Sequence, residues 1–155
     1  MNATLILDVV TLFCAGILAG MEIAIHYGLR APAEELGDQA QIQLRQALIL
    51  RLRILVPAFF FPVLVGGIAV TLLQSSGPGF WFQCAGLVAM LVWIVIRVIG
   101  TVPLNSATLA WKPDTPPTNW KALVNHAERF HSVGVLAAVA TFALFLAALT
   151  LRVTA

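Results

Sequence analysis

An all-α, integral membrane four-helix bundle, with an amphipathic extension before its second helix, is the fold class this sequence predicts, and three observations predict it. The 155 residues are 60% apolar and only 10% charged, with nine Lys and Arg against seven Asp and Glu, whereas about a quarter of an average soluble chain is charged. The mean hydropathy of +0.93 leaves too few charges to clothe a globular surface. The apolar residues also gather into four blocks, each close to the roughly 20 residues that cross a bilayer as a helix. Four such spans occupy over half of the chain. One domain over residues 1–155 is therefore expected, with no room for a large soluble catalytic domain. A net charge of +2 carried by isolated Lys and Arg offers no basic stripe, so no nucleic-acid partner is expected.

The first block runs from about Leu5 to Gly28. It starts close to Met1 without the basic leader or small-residue cleavage site of a secretory signal, so it is read as a retained helix. The second runs from about Ile54 to Leu73 and contains Pro57 and Pro62. Before it, Gln39, Gln43, Gln46 and Arg53 recur at steps of four, three and seven, the polar stripe of a helix that continues into the membrane. Ser75, Ser76, Gly77, Pro78 and Gly79 make an uncharged turn between antiparallel helices. The third block runs from about Trp81 to Val102. A loop is expected after it, because Pro103, Pro113, Pro116 and Pro117 each lack an amide donor. Thr118 is placed as the N-cap of a last helix that crosses from about Phe130 to Leu151. Cys14 and Cys84 lack the paired spacing of a disulfide or metal knuckle and read as buried apolar residues.

Charge sets the orientation, because Lys and Arg are retained on the cytoplasmic side during insertion. Arg30, Arg45, Arg51, Arg53, Lys112, Lys121 and Arg129 fall in the two loops of one face, and Arg152 alone falls on the other. The expected protein of a bacterial inner membrane thus has both termini outside and its long loops in the cytoplasm. Trp111, Trp120 and Tyr27 are expected in an aromatic belt at the inner surface, with Trp81 in the outer one.

The polar residues that chemistry can use are concentrated at the inner end. On the first helix Asp8, Ala15, Ala19, Glu22 and His26 share one stripe, with Glu22 and His26 one turn apart. Beside them Gly16 and Gly20 form a small-residue pair suited to close packing. Glu22 lies near 9 Å deep at about 1.5 Å per residue, and an intramembrane carboxylate is costly unless protonated, paired or hydrated. It is therefore expected to face the bundle interior with His26. Antiparallel connectivity carries Arg97, Asn105, His126, Glu128, Arg129 and His131 to the same depth, together with Arg51 and Arg53, which also serve as topology anchors. Pairing of Glu22 with Arg97 is one reading of the two. Snorkelling of Arg97 to the headgroups is the other.

At Val102-Pro103-Leu104-Asn105, followed by Trp111, Pro116-Pro117, Trp120 and Glu128-Arg129-Phe130-His131, the sequence resembles the anthrone oxygenase-like family of small four-helix membrane proteins. The resemblance extends over nearly the whole chain, through the Ala15-Gly16 helix and the Gln-bearing start of the second helix. Gly134 departs from it, standing where the family often carries an Arg, and Glu22 and His26 lie outside its shared pattern. It implies a membrane-embedded oxygenase-like oxidoreductase that acts, with no cofactor, on a small apolar aromatic or polyketide-type substrate. Asn105, Trp120, Arg129 and His131 are the positions it carries over. By that resemblance His131 is the base, Arg129 stabilises the developing oxyanion, Asn105 holds the substrate oxygen and Trp120 stacks on the ring. Glu22, His26 and Arg97 are the further candidates for contact with substrate. Two other classes stay open at this point. One is a haem or metal protein using Glu22, His26, His126 and His131, since imidazole and carboxylate suit iron, copper and zinc. The other is a structural or assembly protein, and a homo-oligomer is compatible with all three.

Overall fold

A computed structural model of the protein describes residues 3–74 and 76–154. It is a four-helix bundle, and no strand occurs among the described residues. Helices α1 (Ala3–Glu34), α2 (Asp38–Leu73), α3 (Phe80–Ala110) and α4 (Trp120–Thr154) are each long and apolar enough to cross a membrane. Large apolar side chains such as Phe13, Ile54, Leu72 and Leu136 point outward along them, a surface that suits hydrocarbon rather than water.

All four helices run further than the apolar blocks. The second is one uninterrupted helix from Asp38, so the Gln-bearing extension and the span are continuous. The loop expected at Pro103 is instead helical. A π-helical stretch at Arg97–Thr101 interrupts α3, and Pro103 falls in the first turn of the α-segment that follows. An amide is dispensable there and the fixed φ of proline is already helical, so the residue does not break the chain's course. Helix α1 repeats the device, with a π-helical stretch at Ala24–Leu29 ahead of Pro32. Helix α3 ends at Ala110 because its last carbonyls find a side-chain donor. Gln46 Nε2 donates to the carbonyls of Thr108 and Trp111, each at 2.9 Å. Helix α4 begins at Trp120, two residues beyond Thr118. Thr118 makes no capping hydrogen bond among the described residues, and the carbonyl of Asn119 accepts from Leu123 instead.

The core lies among all four helices. Leu18, Val63, Met90, Trp93, Ala138 and Phe145 meet there, and α3 packs most extensively on α4, and α1 on α2. Helices α2 and α3 touch each other far less. Small residues govern the closest approaches, though not the expected pair. A Cβ on Gly16 would lie 3.2 Å from Phe142, but Gly20 is exposed and has nothing near it. The tight contact of α1 with α2 is made at Gly66, where a Cβ would lie 2.0 Å from Thr11 Oγ1. In the α2–α3 turn Ser75 lies outside the described residues. Gly79 there has φ of 83° and sits against the backbone of Ala148, so only glycine fits both the angle and the space. Trp120 is not in an aromatic belt. It is 4% exposed, packed with Ile42, Val124, Leu104 and Trp111 in a small cluster that closes the Gln46 end of the bundle. Tyr27 and Trp81 are exposed.

At the opposite end one cation ties the four helices together. Arg152 of α4 lies 3.1 Å from Asp8 Oδ1 of α1, and donates to Gln74 Oε1 beyond α2 at 2.6 Å and to Gln83 Oε1 of α3 at 3.1 Å. Both charged side chains are nearly buried, at 11% and 7% exposure. Removing one partner of such a pair strands the other in low dielectric. Arg152→Met is predicted to cost about 3 kcal/mol of stability, measured as a shift in the unfolding midpoint in mixed micelles, whereas Lys121→Met, on the exposed pair with Asp38, should change it little.

Candidate functional site

Helix phase brings the site together. On α1, Glu22 and His26 are four residues apart; on α4, Glu128 and His131 are three apart; on α3, Arg97 and Thr101 are four apart, and each pair shares a face. All five residues of the α1 stripe, Asp8, Ala15, Ala19, Glu22 and His26, are buried. Glu22 is 0% exposed, so its carboxylate faces the bundle and no lipid.

Each oxygen of that carboxylate has a partner. Oε1 accepts from Arg97 Nη2, and Oε2 accepts from His131 Nε2 at 2.9 Å. Arg97 therefore pairs with Glu22 rather than snorkelling. Its guanidinium also lies 5.4 Å from the ring centroid of Trp93. An ionised carboxylate can only accept, so His131 carries its proton on Nε2 and turns Nδ1 away from Glu22. That Nδ1 lies 3.6 Å from Glu128 Oε2, and the same oxygen lies 3.3 Å from His26 Nδ1. Arg45 Nη2 approaches the other oxygen, Glu128 Oε1, at 3.5 Å. The result is a continuous chain, Arg97–Glu22–His131–Glu128–His26, with Arg45 at its flank. The two imidazoles meet edge to face, with centroids 5.1 Å apart.

Arg97, His131 and Glu128 of this chain, with Arg45 beside them and Glu22 and His26 behind them, form one wall of a cavity of about 650 Å³. Its opening follows from the sparse contact of α2 with α3, and Phe60, Pro57, Val98 and Leu104 make most of its lining apolar. Its polar members are Arg45, Arg53, Arg97, Asn105, Glu128 and His131, chiefly. Three N–H groups of lining residues find no acceptor among the described residues, namely Arg45 Nε, Trp93 Nε1 and Arg97 Nε.

The structure brings together Glu22, His26, Arg97 and His131, and places Asn105 on the cavity wall, in a helix rather than in a loop. It does not bring in four others. Arg129 is exposed and absent from the cavity, since it is two residues from His131 and hence about 200° round the helix. His126 is exposed for the same reason, its ring against Phe130 at 5.2 Å. Trp120 is taken up by the cluster with Ile42 and does not line the cavity. Arg51 is exposed, and no hydrogen bond or ion pair joins it to the site among the described residues. Sequence reasoning placed Glu128 in the inner-end cluster without giving it a role, and missed Arg45 and Trp93 as site residues. The three-residue step from Glu128 to His131 is the signal that finds that role. Trp93 sits inside an apolar run and gives none.

Comparison of the chain with protein-family models, with curated proteins and with solved structures finds no match. The resemblance to the anthrone oxygenase-like family thus rests on its sequence motifs.

Proposed function

We propose that this protein is a membrane-embedded oxygenase-like enzyme that draws a small, planar, oxygen-bearing apolar molecule from the bilayer into the cavity between α2 and α3. The observation that carries the reading is the composition of that cavity. An apolar volume of about 650 Å³ ends on one polar wall, where an imidazole–carboxylate chain and unpaired N–H donors lie side by side. Phe60, its ring stacked on Trp93 at 5.4 Å and with Phe61 beside it, gives the cavity an aromatic wall that suits a ring system. The guanidinium groups of Arg97 and Arg45, both on the cavity lining, suit the oxygens of a ketone or phenolate. This assignment gives Arg97 and Arg45 the oxyanion role that the resemblance gives Arg129, and gives Phe60 and Trp93 the stacking role of Trp120.

The reaction is oxidation of a methylene flanked by a ring carbonyl. The His131–Glu128–His26 corner takes one C–H proton, and the electron pair left behind delocalises onto the carbonyl oxygen. That enolate passes one electron to dioxygen, and the carbon radical and superoxide join to form a C–O bond. The peroxide then takes a proton and loses water with the second C–H proton. The sum is one methylene and one dioxygen giving one carbonyl and one water.

The corner end is placed at the cytoplasmic leaflet of a bacterial inner membrane, with the termini outside. The support is the distribution of Lys and Arg, since seven basic residues flank that end and Arg152 alone the other. Reporter fusions after Arg152 and in the loop at Lys112 are expected to report opposite sides of the membrane, and reports from the same side contradict the placement.

With a hydroxyanthrone in liposomes, the protein is expected to consume one dioxygen per substrate. His131→Ala should lower turnover by about 10²-fold or more while the protein stays folded, and Arg129→Ala should leave turnover unchanged. Absence of both turnover and substrate-dependent quenching of tryptophan fluorescence sinks the oxygenase reading.

A further inference from the structure

We propose that His26 Nδ1, His131 Nδ1 and Glu128 Oε2 bind one divalent first-row transition-metal ion, as a two-histidine, one-carboxylate site that opens onto the cavity. The three ligand atoms lie within 4.8 Å of one another. Glu128 Oε2 is 3.3 Å from one imidazole nitrogen and 3.6 Å from the other. Nitrogen and oxygen ligands sit about 2.0–2.2 Å from such an ion, which sets neighbouring ligands roughly 3.0–3.5 Å apart in tetrahedral or octahedral geometry. The two separations to Glu128 Oε2, 3.3 and 3.6 Å, are close to those of ligands sharing one ion, and with all three atoms within 4.8 Å a small rotation of the imidazoles closes the set.

The surroundings are those of a metal site as well. His131 donates its Nε2 proton to Glu22 at 2.9 Å, so in its neutral form Nδ1 is a bare lone pair facing a carboxylate oxygen. Two acceptors pointed at each other are answered either by a proton on Nδ1 or by a metal ion between them, and the third ligand atom, His26 Nδ1, favours the ion. Glu22 is in turn held by Arg97, giving the carboxylate–histidine–metal arrangement in which the outer acid fixes the tautomer and raises the ligand's basicity. Arg45 approaches only Glu128 Oε1, and leaves Oε2 free for the ion. Three protein ligands leave coordination positions open. Because Glu128 and His131 line the cavity, those positions face the proposed substrate volume. A two-histidine, one-carboxylate face with open positions is the ligand set of non-haem iron oxygenases. The ligand geometry is independent of the proposed oxidation; if both hold, the ion would supply a Lewis acid for the substrate's enolate oxygen, and the proton would pass to the corner's uncoordinated oxygen, Glu128 Oε1, rather than to the coordinated imidazole.

The test is titration of the chelator-treated full chain in detergent with Co²⁺, followed by its visible spectrum, with circular dichroism as the check on folding. One Co²⁺ per chain is expected, with the absorption of nitrogen and oxygen coordination. His26→Ala and Glu128→Gln should each weaken binding at least 10-fold, Glu22→Gln should weaken it by 10-fold to 100-fold through the outer shell, and His126→Ala should leave it unchanged. Folded wild-type protein that takes up no Co²⁺, or binding that survives His26→Ala and Glu128→Gln, overturns the site. So does binding lost in His126→Ala. Hydroxyanthrone quenching read in the same samples separates the two proposals: Co²⁺ bound without it sinks the oxygenase reading alone, and quenching without Co²⁺ sinks the metal site alone.

Discussion

A carboxylate with no exposed surface, deep in a mostly apolar helix, is the constraint on which the rest of this structure depends. Ionised Glu22 is tolerable in the interior only if both its oxygens are answered there. Arg97 of α3 and His131 of α4 answer them, and this ties three helices together at one depth. Hydrophobic burial gives little help in holding transmembrane helices to one another, because lipid tails are as apolar as leucine. Polar ties and close packing must do more of that work. The Arg152 cluster with Asp8, Gln74 and Gln83 repeats the solution at the other end. Between the two polar ends, glycines set the spacing, as at Gly66 against Thr11.

From that pairing the site follows. Because Glu22 takes the Nε2 proton of His131, the other face of the imidazole turns to Glu128, and Glu128 in turn to His26. The two π-helical stretches fall at this depth, one carrying His26 and the other beginning at Arg97. Such insertions re-aim side chains within a helix and are frequent at functional sites. They also let α1 and α3 continue past Pro32 and Pro103, and α3 thereby carries Asn105 to the cavity. The cavity itself reflects unequal packing. All four helices contribute to the core, and α2 packs chiefly on α1 while meeting α3 only sparsely, at contacts such as Phe60 on Trp93, which leaves the cavity between them.

Composition and periodicity carry much of this in the sequence. Four apolar blocks give four helices, and the seven-four-three-four spacing from Asp8 to His26 gives the buried face of α1. Proline gave the wrong boundary at residue 103, because its effect depends on the local hydrogen-bond register, and a π-helical insertion changes that register without a composition signal. Depth was legible but azimuth was not. Arg129, His126 and His131 lie within six residues of one another, yet the helix turns the first two outward and the third inward. Glu128 is legible in depth, but its partnership with His131 is found by asking which neighbours of His131 share its face. The loose contact of α2 with α3, which makes the cavity, is a property of four helices together and is written in no single one of them.

The central claim is that the Glu22–Arg97 pair holds the site-bearing end of the bundle together, and a double-mutant cycle on the two residues measures it most directly. Unfolding free energies in mixed micelles would be compared for the wild type, Glu22→Leu, Arg97→Leu and the double variant. The pairing predicts that each single variant, which strands one buried charge, is less stable than the double variant, which strands neither. Single losses that simply add in the double variant would contradict it.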